Sequence, residues 1–217
     1  MHDLESARRQ MIDHQVRAWE VLDSRVLDTL ATLRREYYVP EAYRDVAFAD
    51  MEIPLGHGQH MLAPKLEGRI LQALAAVRTD DVLEVGTGSG FFAACLAHLA
   101  GTVRSLEIHG DLAQTAARSL RAAAVPNVQV ENMDALRLTE EACFDVIAMT
   151  AALPVYDTRF EKALRMGGRL FVAVGAAPVM QALLVTRAGE DQWVRTPLFE
   201  TVITPLIGAA TPPRFEF

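Results

Sequence analysis

Three glycines alternate with small and polar residues in Glu84-Val85-Gly86-Thr87-Gly88-Ser89-Gly90, directly after one short apolar run and before a longer one. Glycine at alternate positions lets a backbone turn sharply and approach a ligand closely. The free N–H groups at the start of the next helix can then face that ligand. Carboxylates follow at intervals. Glu107 lies about 21 positions beyond Gly86, near the distance at which an acid at the next strand end bonds ribose hydroxyls. Asp134 closes a third strand-like run, where it can accept the exocyclic amine of a purine. A second cluster, Gly56-His57-Gly58-Gln59-His60, sets imidazole and amide groups in a glycine-flanked loop. Imidazole can take a proton from an alcohol or phenol, or donate one to a carboxylate.

Two kinds of nucleoside cofactor fit a strand, a glycine turn and a helix. A dinucleotide requires Gly or Ala at the third fingerprint position, which is Phe91 here, and its pyrophosphate would be repelled by Glu84 at the strand end. Those two residues disfavour a nicotinamide-dependent oxidoreductase. S-adenosylmethionine has no phosphate and carries a positive sulfonium and an ammonium, so an acidic entrance suits it. The expected cofactor contacts are Glu84, Gly86, Thr87, Gly88, Ser89 and Gly90 in the turn, Glu107 with Ile108 and Asp134 with Ala135 at the next two strand ends, and Thr150 at the end of the fourth.

These residues need a scaffold, and the patterning supplies one. From Asp81 onward, strand-like runs (DVLEVG, TVRSLEI, NVQVENMD, FDVIAMTAA, RLFVAVG) alternate with helical ones (FFAACLAHLA, DLAQTAARSLRAAAV, TRFEKALRM). Such alternation predicts a parallel sheet with right-handed crossovers. Asp111 is the expected cap of the second of these helices, and Gly167-Gly168 the expected stop of the third. The β-rich tail MQALLVTRAGEDQWVRTPLFETVITPLI predicts an antiparallel hairpin on one sheet edge. Ahead of Asp81, the spacing predicts a helix over 5–22, with Met11, Ile12, Gln15, Val16 and Trp19 on one face, and another from Ser24, its expected cap, ending before Pro40. A third, entered at Pro64, follows the His57 loop, whose glycines predict unusual backbone angles. Tyr37, Tyr38 and Tyr43 are placed either to line a pocket or to pack these helices on the core; Trp19 and Trp193 read as packing.

The chain has 217 residues and a net charge of −7, with no block of like charge. That argues against nucleic-acid and membrane partners. Apolar stretches fall short of a membrane span, and no secretory h-region opens the chain, so the expected location is cytoplasmic. Cys95 and Cys143 read as reduced core thiols, and no spacing suits a metal site.

The chain resembles the protein-L-isoaspartate O-methyltransferase family over about residues 11–208. The resemblance is carried by RVLDTLATLRREYYVPEAYRDVAFADMEIPLGHGQ, by VLEVGTGSGFFAACLAHLAGTVRSLEI, by FDVIAMTAALPVYDTRFEKALRMGGRLFVAVG, and by Gln181 and TPLIG beyond them. It implies an α/β fold with a Rossmann-like class I methyltransferase core, a mostly parallel sheet with an antiparallel C-terminal edge hairpin, and an N-terminal helical cap. The organisation expected is a single domain, with the cap and the substrate and cofactor loop over 1–78 and the core over 79–217. The resemblance also implies S-adenosylmethionine as cofactor, Gln59 as a further contact to it, and a protein carboxylate or small molecule as acceptor. Members read Thr-Ile-Ser-x-Pro after the Gly-Gln pair, whereas this chain reads His60-Met61-Leu62-Ala63-Pro64. Leu62 thus stands at the active-site serine position and His60 at that of the threonine. The family's Gly-Asp-Gly is Met133-Asp134-Ala135 here. An acceptor carboxylate facing Leu62 would be partly desolvated and unpaired. The expectation is a methyltransferase with an altered acceptor and His60 as the candidate catalytic group. The alternative is a cofactor-binding sensor or interaction protein without transferase activity.

Overall fold

A computed structural model describes residues 4–212, so the first three and last five residues of the two expected spans lie outside it. At the N-terminus, α1 (Leu4–Met11) runs on through a wider π turn (Ile12–Val16) and a 3-10 turn (Arg17–Trp19). It ends at Glu20, whose φ is +60°. The predicted single helix therefore changes pitch. The wide turn lets Met11, Ile12 and Val16 all reach the core, while Trp19 stays partly exposed. Helix α2 (Ser24–Thr32) is capped by Asp23, not Ser24: the extended Asp23 accepts from Arg25 N at 2.9 Å, and Ser24 occupies the first helical position.

A small hairpin follows, β1 (Ile53–Gly56) and β2 (Gln59–Met61), and then α3 (Pro64–Leu74) with Pro64 in its first turn. His57 at the hairpin tip adopts φ +52° between Gly56 and Gly58, both also positive, as the glycine spacing predicts.

The seven-stranded sheet has the order β5-β4-β3-β6-β7-β8-β9. Strands β3 (Asp81–Val85), β4 (Thr102–Glu107), β5 (Val128–Asn132) and β6 (Phe144–Met149) are parallel, with α4 (Phe91–Leu99) and α5 (Gly110–Ala122) as crossovers. Strand β7 (Leu164–Ala176) extends the parallel set. Strands β8 (Val179–Gly189) and β9 (Gln192–Thr201) form the antiparallel edge hairpin. Two boundaries differ from expectation. Helix α6 spans only Thr158–Lys162, because buried Leu164 already pairs with Phe144 and draws the chain into the sheet ahead of Gly167. Asp111 does not cap α5; it lies in the first turn, and its carboxylate meets His57 Nε2 at 2.9 Å.

Helix α4 is buried from Phe91 through Leu99 except at His98, wedged between the sheet and the N-terminal helices. Each large apolar side chain buried there contributes about 1.5–3 kcal/mol. Cys95 lies in this helix and is buried as expected, but Cys143 is exposed, since it precedes β6 outside the core. Among the described residues, no helix is long and apolar enough to cross a membrane.

Candidate active site

Strand β3 lies between β4 and β6, so successive connections leave it in opposite directions. A crevice opens at such a switch point, at the carboxyl ends of the strands. The glycine turn sits there. Gly86 has φ +97°, and a Cβ on it would run into Thr150 Oγ1. Gly88 has φ +52°, and a Cβ on it would come within 3.0 Å of Leu55 Cδ1. The turn is tied to β4 by Gly86 N and Thr87 N, which donate to Leu106 O at 2.9 and 3.2 Å.

The acids after the turn are organised by backbone donors. Glu107 Oε2 accepts from Gly88 N at 2.9 Å and Oε1 from His109 N at 3.0 Å. Each oxygen retains a lone pair for a second donor. Asp134 Oδ1 accepts from Leu136 N at 2.9 Å, capping the 3-10 turn Ala135–Arg137 and leaving its second oxygen available.

Two compartments share lining residues at the glycine turn. The first, about 420 Å³ and open to solvent, is lined by Gln59, Gly86, Glu107, Ile108, Asp134 and Ala135, and roofed by Pro205, Leu206 and Ile207. The second, about 410 Å³, shares Gln59, Gly86 and Glu107 and adds Gly88, Thr150, Glu52, His60, Leu62 and Thr204. Neither is lined by a Lys or Arg among the described residues, while Glu107, Asp134 and Glu52 contribute carboxylates. That donor set fits a phosphate-free, positively charged nucleoside such as S-adenosylmethionine and opposes a polyphosphate.

Eight of the twelve expected cofactor residues line these compartments: Gln59, Gly86, Gly88, Glu107, Ile108, Asp134, Ala135 and Thr150. Thr150 also donates its hydroxyl to the turn, with Oγ1 2.7 Å from Gly86 O and 3.0 Å from Val85 O. The other four support the turn from behind. Glu84 does not face the crevice. It stands in register with Ser105 on β4, its carboxyl is fully buried, and Ser105 Oγ donates to Oε2. Oε1 has no partner. Burial pushes its pKa up to about 8 against the opposing Ser105 hydrogen bond, with Glu107 and Glu67 adding repulsion. Thr87 extends the same chain, its Oγ1 lying 2.5 Å from Ser105 Oγ. Ser89 accepts from Phe91 N at 3.3 Å. Gly90 starts α4, where a Cβ would meet Ala116 Cβ at 3.1 Å.

Leu62, at the floor of the second compartment, is 6% exposed. Its carbonyl accepts from Arg35 Nη2 at 2.8 Å, and Arg35 Nε donates to Ala47 O at 2.8 Å. The same guanidinium pairs with buried Glu67 and lies 5.0 Å from the Phe91 ring centre. Arg35 thus couples the N-terminal helices to the wall of the site. No apolar periodicity marks it. Nor does periodicity mark Glu52 or the 203–207 segment, which Ala152 holds over the crevice through Thr204 O at 2.9 Å and Leu206 N at 2.8 Å.

His57 points elsewhere, stacking on His109 at 4.1 Å beside Asp111. Tyr38 packs edge-on against Phe91, Tyr43 packs on the core, and Tyr37 is exposed. Trp19 packs against Phe199, and Trp193 Nε1 donates to Glu161 O at 2.9 Å.

A Rossmann-like sheet with a reversed C-terminal edge, a glycine turn at its switch point and strand-end carboxylates defines a class I methyltransferase, S-adenosylmethionine-dependent by class. A sequence model of the protein-L-isoaspartate(D-aspartate) O-methyltransferase family matches residues 6–210, and the chain belongs to that family. It is 39% identical to the protein-L-isoaspartate O-methyltransferase of Koribacter versatilis (strain Ellin345), over 93% of this chain and 90% of that one. It is 37% identical to protein-L-isoaspartate O-methyltransferase 1 of Rhodopseudomonas palustris (strain HaA2), over 93% and 83% respectively. The fold superposes with a TM-score of 0.79 on a Plasmodium falciparum protein-L-isoaspartate O-methyltransferase solved with S-adenosyl-L-homocysteine, at 18% identity, covering 93% of this chain and 97% of that one.

Proposed function

We propose that the protein is a carboxyl methyltransferase that binds S-adenosylmethionine in the first compartment and receives an isoaspartyl-type carboxylate in the second, with the acceptor site remodelled around Leu62. The observation that carries this reading is the junction: both compartments share Gly86, Glu107 and Gln59, so a nucleoside held by the acids abuts the space beside His60 and Leu62. Glu107 takes the ribose hydroxyls. Asp134 takes the adenine amine while still capping its turn, and Ile108 and Ala135 flank the base. The glycine turn admits the methionine portion.

The cofactor supplies an electrophilic methyl group. The protein's task is to hold a nucleophile in line with it. A carboxylate acceptor is ionised at neutral pH and needs orientation rather than a base. Leu62 has no hydroxyl to orient it. The polar residues that line the compartment are His60, Gln59, Thr150 and Thr204 together with the acids Glu52 and Glu107, so an anionic acceptor there needs a donor to offset the two carboxylates. His60 supports the acceptor by donating an N–H to its carboxylate.

Methyl transfer from labelled S-adenosylmethionine to an isoaspartyl peptide, read as base-labile ester, tests this. Wild type forms ester, His60→Ala loses about tenfold, as expected for one hydrogen bond to a charged group, and Leu62→Ser gains. Binding of S-adenosylhomocysteine without any ester from wild type would favour the sensor reading, for which buried, apolar Leu62 is the supporting observation.

A further inference from the structure

Beneath the glycine turn lies a titratable group that methyl transfer itself does not use. The Glu84 carboxyl is completely buried, with one oxygen bonded to Ser105 and the other without any partner. From Glu84 a chain of hydroxyls, Ser105 and then Thr87, leads into the turn that carries Gly86 and Gly88. We propose that Glu84 is a positioning residue whose charge follows the cofactor's: it gives up its proton to solvent when the sulfonium form binds and regains one when the neutral thioether product is left. The protein would then distinguish donor from product by charge, although their shapes differ by one methyl group.

The electrostatic surroundings favour this behaviour. Burial above all, and then the charges of Glu107 on β4 and Glu67 on α3, push the Glu84 carboxyl toward its neutral form against the Ser105 hydrogen bond, so that it titrates at about 8. Cys95 on α4 is pushed far above its ordinary range, so it is neutral, and Glu67 is paired with Arg35. No cation answers Glu84 directly among the described groups that act on it. A positive charge arriving above the turn is therefore the first to favour ionisation, and in a buried setting a neighbouring opposite charge lowers a carboxyl by about one pH unit or more. The event is ionisation alone: Glu84 carboxyl becomes carboxylate plus a proton released to bulk water.

The inference rests on the donor-cleft reading, and one experiment separates the two. Binding heats of S-adenosylmethionine and S-adenosylhomocysteine are measured at pH 7.5 in buffers of different ionisation enthalpy, which gives the protons released per ligand. The ammonium of each ligand titrates too, so each count is taken as wild type minus Glu84→Gln. The expected result is about half a proton more for the sulfonium than for the thioether, for a lowering of about one pH unit. Ser105→Ala, which removes the hydroxyl that favours the carboxylate, moves the pH of greatest release upward. Equal counts for the two ligands, a difference that persists in Glu84→Gln, or an unmoved profile in Ser105→Ala overturns the proposal while leaving the cleft intact. Absence of heat with both ligands overturns the cleft assignment and the proposal with it.

Discussion

Replacing Glu84 by Gln makes the protein's stability respond to pH in a way the structure specifies. Glu84 is fully buried, and its carboxyl is raised from 4.5 to about 8, chiefly by burial. A raised carboxyl means the folded chain holds a proton that the unfolded chain has lost. Stability therefore falls as pH climbs through that interval. The benefit of the neutral carboxyl is complete below about 4.5 and is lost progressively up to about 8. At about 1.4 kcal/mol per pH unit per proton, wild type loses about 3 to 4 kcal/mol between pH 5 and pH 8 through this group. Glutamine keeps the shape and an acceptor for Ser105 but cannot ionise. Urea denaturation at pH 5, 6.5 and 8 should show Glu84→Gln gaining about 3 to 4 kcal/mol on wild type across the series, whatever its offset at pH 5. Parallel pH profiles would refute the reasoning, because they would mean that Glu84 titrates in the folded protein as it does in the unfolded one.

Gly86→Ala places a Cβ against Thr150 at φ +97°; left-handed strain of about 1–2 kcal/mol plus displacement of the turn should weaken S-adenosylhomocysteine binding at least tenfold by titration calorimetry, with circular dichroism unchanged. Asp134→Ala removes both a turn cap and a ligand acceptor, so it should cost about 1 kcal/mol of stability and about tenfold in affinity, whereas Asp134→Asn, whose amide oxygen still caps, should recover the first loss and not the second. Arg35→Met strands the buried Glu67 carboxylate and should cost about 3–5 kcal/mol in denaturation, largely recovered by adding Glu67→Gln.

The parts of this architecture that were legible beforehand are those with short-range causes. The alternation after Asp81 marks the parallel sheet because each element must bury a face at its own period. The β-rich runs of the tail mark the edge hairpin. The glycine turn, Glu107 and Asp134 are placed by sequence because they lie at or just after strand ends, and strand ends share one rim of a parallel sheet. Glu84 also ends a strand-like run, but its register with Ser105 turns it into the core, which is a pairing across strands and not a spacing along the chain. Asp23, His57 with Asp111, and Arg35 with Glu67 are likewise pairings between separate elements, or one-residue choices of cap, that periodicity does not encode. The 203–207 roof has no pattern of its own and is set by bonds to Ala152.

Crystals grown with S-adenosylhomocysteine test the central claim most directly. The account predicts ligand density in the first compartment, with ribose oxygens within hydrogen-bond reach of Glu107, the adenine amine at Asp134, and the sulfur directed toward Gln59, His60 and Leu62. A ligand bound elsewhere on the protein, or lying in the crevice without contact to either carboxylate, would contradict it.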